Sequence, residues 1–248
     1  MNLKETLRIA KLVLGLLHFK DLRLFKTSCP LCGSGFLLRL NRTEMGLRCV
    51  RCKASTVHMS IGSVLQNLGL ELSGVDAFEM SSRGPLVKFL GRSCQSLRVS
   101  EFWPNLEPGS YYEGIQCQNV EQLTFKDEQF NLCTSTEVFE HVANDRRGFA
   151  EIHRVLRPMG MLVFSVPLTG SESTLQRTRL VGDQIIHLEE PEYHGDAISG
   201  QRQVLAHRNY GVDILSLLLE VGFSRAWIDE SPVNFFHGIG RQIIVAQK

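Results

Sequence analysis

Four of the seven cysteines form two equally built pairs, Cys29-x2-Cys32 and Cys49-x2-Cys52, with sixteen residues between them. Each pair lies on a tight turn, with Pro30 and Gly33 around the first and Arg51 inside the second, so both thiolates of a pair can face one ion. Two such turns brought together make a closed tetrahedral zinc site. Four protein ligands leave no open position, so the ion is expected to be structural rather than catalytic. Phe36–Leu40 and Gly46–Arg48 read as short strands of a ribbon, in which the metal replaces the core that about forty residues cannot build alone. Cys94, Cys117 and Cys133 stand apart and read as buried small hydrophobes, and the uneven spacing does not suit a secreted disulfide scaffold.

A second set of chemistry-bearing residues closes successive apolar runs. Glu79 ends the first, and Ser81-Ser82-Arg83-Gly84-Pro85 follows as a small-residue turn whose backbone N–H groups point at whatever sits above the next helix. Glu101 ends the second run twenty-two residues later, where an acid can accept hydrogen bonds from both hydroxyls of a ribose. Gln118-Asn119-Val120 ends the third, and amides there can read an adenine edge. Acid, small turn, acid, amide is the order in which a nucleoside is held. A third set lies around Pro191, which stiffens the chain locally. His187 or His194 suits a general base, with Glu190 or Tyr193 orienting it. His187, Glu190 and His194 are also metal-compatible types.

Something must position these sets. From residue 60 onward strands alternate with helices, which implies a parallel sheet. The strands are Gly74–Glu79, Leu97–Glu101, Gly114–Gln118, Phe130–Thr136, Met161–Val166, Ala226–Asp229 and Gln242–Ala246. Helices are expected at Ile61–Leu68, from the small turn through Leu90, and from Asn144 or Asp145 to Leu156, where Pro158 and Gly160 stop the last. Val212–Val221 is a further helix, closed by Gly222. The fold class is α/β, a doubly wound, mostly parallel seven-stranded sheet with a small N-terminal zinc ribbon. The domains read as a basic amphipathic helix over 1–26, the ribbon over 27–58, and the sheet domain over 59–248 with a polar, irregular insertion at about 168–209.

At 248 residues, 43% hydrophobic and 21% charged, the chain is an ordinary globular protein, which excludes disorder, collagen and coiled coil. No apolar run reaches the length of a membrane span; Leu12–Phe19 is too short and is flanked by lysines and Arg8. A cytoplasmic protein is expected. The net charge of +1 hides a division: residues 1–60 hold eleven bases and three acids, a balance of +8, against 16 bases and 23 acids, −7, in the remainder. Such a basic segment suits phosphate-rich or acidic partners, or docking on the acidic body.

Three further segments carry a resemblance: Leu123-Thr-Phe-Lys-Asp-Glu-Gln-Phe-Asn-Leu132, Thr136-Glu137-Val138-Phe139-Glu140-His141-Val142, and Arg154-Val155-Leu156-Arg157-Pro158-Met159-Gly160. Together they resemble the class I S-adenosylmethionine-dependent methyltransferases, in particular the type 11 group. The resemblance implies a Rossmann-like fold. Glu79, Ser81 and Gly84 match the loop that holds the donor's methionine, and Glu101 matches the ribose acid. Asn119 and Val120 match the adenine contacts, and Thr136 and His141 the segment lining the methyl-donor pocket. The chain departs from the pattern at Ser81, Arg83 and Pro85 where the family has glycines, at Asn131 for Asp, and at Met159 for Gly.

S-adenosylmethionine and a structural Zn2+ are thus the expected cofactors, and the acceptor is expected to be a small molecule or biosynthetic intermediate, because the sheet domain is acidic. An RNA acceptor held by residues 1–60 is the alternative, since a zinc ribbon before this fold also looks like certain ribosomal RNA methyltransferases. A non-catalytic binding module with a degenerate donor loop is the third reading. Methyl transfer is an in-line displacement in which alignment supplies most of the acceleration. A base such as His187, His194 or His141 is needed only where the acceptor must lose a proton.

Overall fold

The cysteine segment places its apolar residues on three short strands, β1 (Arg23–Phe25), β2 (Leu37–Arg39) and β3 (Leu47–Cys49), antiparallel in that order. The computed structural model describes residues 21–43, 46–182, 184–195, 203–236 and 238–248. Most of the expected helix over 1–26 lies outside the described residues. Its last part is a strand instead, because Arg23–Phe25 pairs residue by residue with β2.

Behind the ribbon runs helix α1 (Thr56–Asn67), then β4 (Asp76–Glu79), α2 (Pro85–Ser93), β5 (Ser96–Glu101), the hairpin β6 (Tyr111–Tyr112) and β7 (Ile115–Cys117), and β8 (Phe130–Thr136). Helix α3 (Asp145–Val155), capped by the Asn144 side chain accepting from the Arg147 N–H at 3.1 Å, leads directly into β9 (Leu156–Ser165). The stretch expected to be irregular is built instead of paired short strands: β10 (Leu175–Gln176), β11 (Thr178–Val181), β12 (Gln184–His187), β13 (Glu192–His194), β14 (Val204–Ala206) and β15 (Arg208–Asn209). They pair antiparallel as β10–β15, β11–β12 and β13–β14. Backbone hydrogen bonding overrode composition here; polar residues on a hairpin need only one covered side. The chain ends with α4 (Ile214–Val221), β16 (Arg225–Asp229), α5 (Ser231–Phe235) and β17 (Ile243–Gln247).

The main sheet has the order β16-β17-β9-β8-β4-β5-β7-β6. Its centre is parallel, and β17 runs antiparallel between β9 and β16. Eight strands replace the expected seven because Glu113 (φ 49°) and Gly114 (φ 78°) form a tight hairpin turn that folds Tyr111–Tyr112 back onto β7. Side chains alternate across the sheet. Ala77, Leu132, Val163 and Val245 enter the core beneath α1 and α2, while Phe78, Cys133, Leu162 and Ile244 enter the core beneath α3 and α4. The ribbon's Leu31, Leu37 and Leu47 belong to the first core together with Met59, Ile61 and Val64 of α1, so a boundary at 58/59 crosses continuous packing. At Gly62 a Cβ would meet the Leu31 Cδ2 methyl at 2.3 Å, so any larger residue there would make Leu31 shift for the first cysteine turn to stay on α1. No helix among the described residues is long and apolar enough to cross a membrane.

The departures at Asn131 and Met159 have different consequences. Asn131 Oδ1 accepts from the Asp76 N–H at 3.0 Å and from Arg157 at 2.7 Å, while Arg157 also pairs with Asp76 at 2.9 Å, so the neighbouring Asp76 supplies the negative charge. Met159 sits at φ 65° and is 70% exposed. A side chain in that conformation costs roughly 1–2 kcal/mol. Met159→Gly is therefore expected to stabilise the protein by about 0.5–1 kcal/mol after glycine's extra chain entropy is subtracted. Chemical denaturation at constant m-value checks this; an unchanged or lowered midpoint would refute it.

Candidate functional site

The parallel strands deliver their last residues to one edge of the sheet. Glu79 ends β4, and Glu101 ends the adjacent β5; both are buried. The turn between β4 and α2 is tied to this edge, because the N–H and the hydroxyl of Ser82 donate to Glu101 Oε1 at 2.8 and 2.7 Å. Gly84 takes φ 114°, and Pro85 occupies the first turn of α2, where its fixed φ suits the helix start and no N–H is lost. Arg83, in the same turn, is exposed. A Cβ at Gly84 would lie 3.8 Å from Nε2 of His58, on α1. Burial, and then the Arg48 charge, push that imidazole down to about 4, so a neutral ring lies beside the turn at pH 7.

Glu79 accepts a hydrogen bond from the Thr134 hydroxyl of the next strand. Burial pushes its carboxyl up to about 8; the Thr134 bond opposes this and the Glu101 carboxylate adds to it. The acid is thus protonated in the fold and ionised in the unfolded chain between about 4.5 and 8. The folded state binds the extra proton, so stability from this group falls as the pH rises through that window. The stability of Glu79→Gln relative to the parent is expected to rise from pH 5 to pH 8 by on the order of 3 kcal/mol. Urea unfolding at the two pH values measures it; a constant difference would remove the shift.

Along the same edge, Gln118 is consumed by structure, its amide donating to the Thr124 hydroxyl at 2.6 Å and accepting from the Thr124 N–H at 3.0 Å. Asn119 bonds the Glu121 N–H at 2.9 Å, and Val120 lies against Gly148 at the start of α3. Thr136 ends β8 with its hydroxyl buried and unpartnered among the described residues. The chain then turns through Glu137 (φ 52°), whose carboxylate takes a 2.6 Å ion pair from Arg241 at the approach to β17. Leu168, Glu230, Val233, Gly240, Arg241 and Gln242 line a cavity of about 290 Å3 beside this turn.

The insertion locks the segment that follows. Arg208, 4% exposed at its side chain, donates to the carbonyls of Phe139, Val142 and Ala143 and pairs with Asp145 at 3.3 Å, and the His207 N–H donates to the Glu140 carbonyl at 2.8 Å. Glu140 is 1% exposed, and neither of its carboxylate oxygens has a hydrogen-bond partner among the described residues. Burial, then the nearby Glu137, push its carboxyl well above the ordinary range. The rings of His141 and His194 meet edge to face at 4.8 Å. His187, Glu190 and Tyr193 lie on exposed positions of the insertion, with the Glu190 carbonyl accepting from Arg177 at 2.6 Å. The structure therefore joins His141 to His194 and leaves the other three acceptor-side candidates on the surface. His58, Glu140 and Arg241 were not assigned roles from sequence. His58 and Arg241 reach the site from distant segments and carry no local signal, whereas Glu140 lies inside a quoted motif.

In the ribbon the four Sγ atoms of Cys29, Cys32, Cys49 and Cys52 lie within 4.8 Å of one another, with Cys29–Cys52 at 3.7 Å and Cys32–Cys49 at 3.5 Å. A tetrahedral zinc with bonds of about 2.3 Å has sulfur–sulfur edges of about 3.8 Å, so the cluster fits that ion. Both turns are built alike: Gly33 (φ 70°) and Lys53 (φ 65°) follow the second cysteine of each pair and donate N–H to the first cysteine's carbonyl at 2.9 and 3.0 Å.

Residues 95–164 match the sequence profile of a methyltransferase-domain family. That span holds β5 with Glu101 at its end, the Gln118–Val120 turn, β8, the Glu140-His141 segment, α3 and most of β9, all on the sheet order described above. The match places a methyltransferase domain over residues 95–164. Solved structures similar to this chain include an S-adenosylmethionine-dependent methyltransferase from Mesorhizobium loti, at 15% identity and a TM-score of 0.49, covering 76% of this chain and 98% of that one. A Burkholderia thailandensis 1,6-didemethyltoxoflavin-N1-methyltransferase, solved with its substrate and S-adenosylhomocysteine, is similar at 15% identity and a TM-score of 0.44, covering 78% of each chain. No curated protein matches the sequence.

Proposed function

We propose that the methyltransferase binds S-adenosylmethionine across the ends of β4 and β5 and passes its methyl group to a small-molecule acceptor held between the Glu137 turn and the insertion. The observation that carries the reading is the pair of buried carboxylates, Glu79 and Glu101, ending adjacent parallel strands on either side of the Gly84 turn. When bound, the donor supplies an electrophilic methyl carbon on a sulfonium. In this reading Glu101 accepts from the ribose hydroxyls, with Ser82 holding its other contacts. Glu79, Ser81 and Gly84 face the methionine portion, where the donor's cationic groups would draw the proton from Glu79 and so offset its raised pKa. Asn119 and Val120 bound the adenine, and Thr136 and His141 approach the transferring methyl.

On the acceptor side, His194 and His141 are the proton-accepting candidates, and His187, Glu190 and Tyr193 shape the outer rim. The acidic balance of the sheet domain and the cavity beside Arg241 favour a small acceptor over RNA. So does the use of basic residues within the ribbon itself: Arg42 pairs with Asp21 at 2.6 Å, and Arg48 is half-buried. The cysteine cluster is read as a structural zinc ribbon, which suits a protein of the reducing cytoplasm.

Glu101→Ala is expected to weaken donor binding by about 1–3 kcal/mol, or tenfold to a hundredfold, as for loss of hydrogen bonds to a charged acceptor. Calorimetric titration with S-adenosylhomocysteine measures this. Unchanged affinity would remove Glu101 from the site.

A further inference from the structure

The Glu140–His141–His194 trio is organised as a coordination site. The Leu205 carbonyl lies 2.9 Å from His141 Nδ1, and a carbonyl only accepts, so Nδ1 carries the proton and Nε2 presents its lone pair. The Glu192 carboxylate lies 3.0 Å from His194 Nε2, so in the same way Nδ1 of His194 presents its lone pair. Both lone-pair nitrogens lie 3.8 Å from one atom, Glu140 Oε1. That carboxylate is 1% exposed, and both its oxygens lack a hydrogen-bond partner among the described residues. A buried carboxylate in that condition either keeps its proton or takes a cation as its partner. The three ligand atoms lie within 4.8 Å of one another. A tetrahedral ion with bonds of about 2.1 Å has edges of about 3.4 Å, so the two contacts to Glu140 need close by only about 0.4 Å.

We propose that Glu140, His141 and His194 bind one divalent transition-metal ion, distinct from the ion of the four-cysteine cluster. Two imidazoles and a carboxylate select an ion such as Mn2+, Fe2+ or Zn2+, and three protein ligands leave positions open for an exogenous oxygen. The Leu205 carbonyl and the Glu192 carboxylate orient the two rings, the usual arrangement behind metal-bound histidines. Both supports come from β13 and β14, so the insertion completes the site. Resting on the methyltransferase reading, the open positions specify an acceptor that presents an oxygen donor, such as a hydroxyl, to the ion.

Manganese is the discriminating probe, because thiolate clusters prefer softer ions. The full-length protein, loaded with zinc and freed of excess metal, is titrated with Mn2+ alone and followed by electron paramagnetic resonance. One Mn2+ per chain is expected, with affinity lowered at least tenfold in Glu140→Gln and in His194→Ala, while the zinc content of the cysteine cluster stays at one. His194 is partly exposed on a short hairpin, so its variant keeps the fold, and an unchanged thermal transition verifies this. Absence of bound Mn2+, or binding indifferent to both substitutions, overturns the site. The assay contains neither donor nor acceptor. Stoichiometric Mn2+ with no response to S-adenosylhomocysteine would therefore sink the proposed reaction and leave the metal site standing; the reverse pattern would do the opposite.

Discussion

Cys49→Ser is expected to release the cluster metal and to lower the thermal transition of the whole protein by about 10 °C. The ribbon has no independent core. Cys49 itself is buried among Leu37, Leu47 and Ala54, and its three partners surround a space sized for one ion. Structural zinc contributes on the order of 10 kcal/mol to small modules that cannot fold without it. Here part of that is felt by the sheet domain, because Leu31 is seated on Gly62, Gln66 donates to the Pro30 carbonyl at 2.8 Å, and Arg92 donates to the Leu31 carbonyl at 3.1 Å. Uncovering Met59, Ile61 and the first core removes roughly 3–4 kcal/mol, at about 2–4 °C per kcal/mol for a domain of this size. Metal analysis and differential scanning calorimetry read the two effects separately. A chelator should reproduce the loss in the parent protein and add nothing to the variant. Full metal content in Cys49→Ser would contradict the assignment of the four thiolates.

Arg208→Ala is expected to cost about 3–5 kcal/mol, the range for removing one partner of a buried charged network. Its guanidinium satisfies three carbonyls at the end of the Phe139–His141 turn and pairs with Asp145, which also accepts from the Tyr210 hydroxyl at 2.8 Å. Phe139 and Val142 are buried, so their carbonyls would lose a donor that water cannot readily replace. Because the same bonds position Glu140 and His141, acceptor turnover should fall more than donor affinity does. Guanidinium unfolding together with calorimetric donor titration tests this. A variant less than 1 kcal/mol less stable, with unaltered turnover, would show that the network is replaceable.

The β8 strand, the capped helix α3 and the Pro85 helix start were all legible in the sequence, because each rests on local rules: apolar runs, capping side chains and a fixed φ. So were the two cysteine turns, whose spacing dictates their geometry. Two features were not. The insertion reads as irregular by composition, yet it folds into hairpins because Arg177, Arg208 and Asn209 find partners there that only the tertiary structure supplies. The neighbourhood of Gly84 includes His58, which the sequence assigns to the ribbon segment 27–58 and which the structure carries in on the first turn of α1. The glycine-poor loop reads as a departure from the family pattern, and the structure shows what replaces those glycines: Ser82 bonds Glu101, and Gly84 alone needs the left-handed half of conformational space.

The central claim is that the acids ending β4 and β5 hold a sulfonium nucleoside. Isothermal titration of the zinc-loaded full-length chain with S-adenosylmethionine and, separately, S-adenosylhomocysteine tests it most directly. Saturable one-to-one heats for both ligands, abolished or strongly weakened together by Glu101→Ala, are the predicted result. A flat titration with both nucleosides, from protein that is folded and carries its metal, would contradict it.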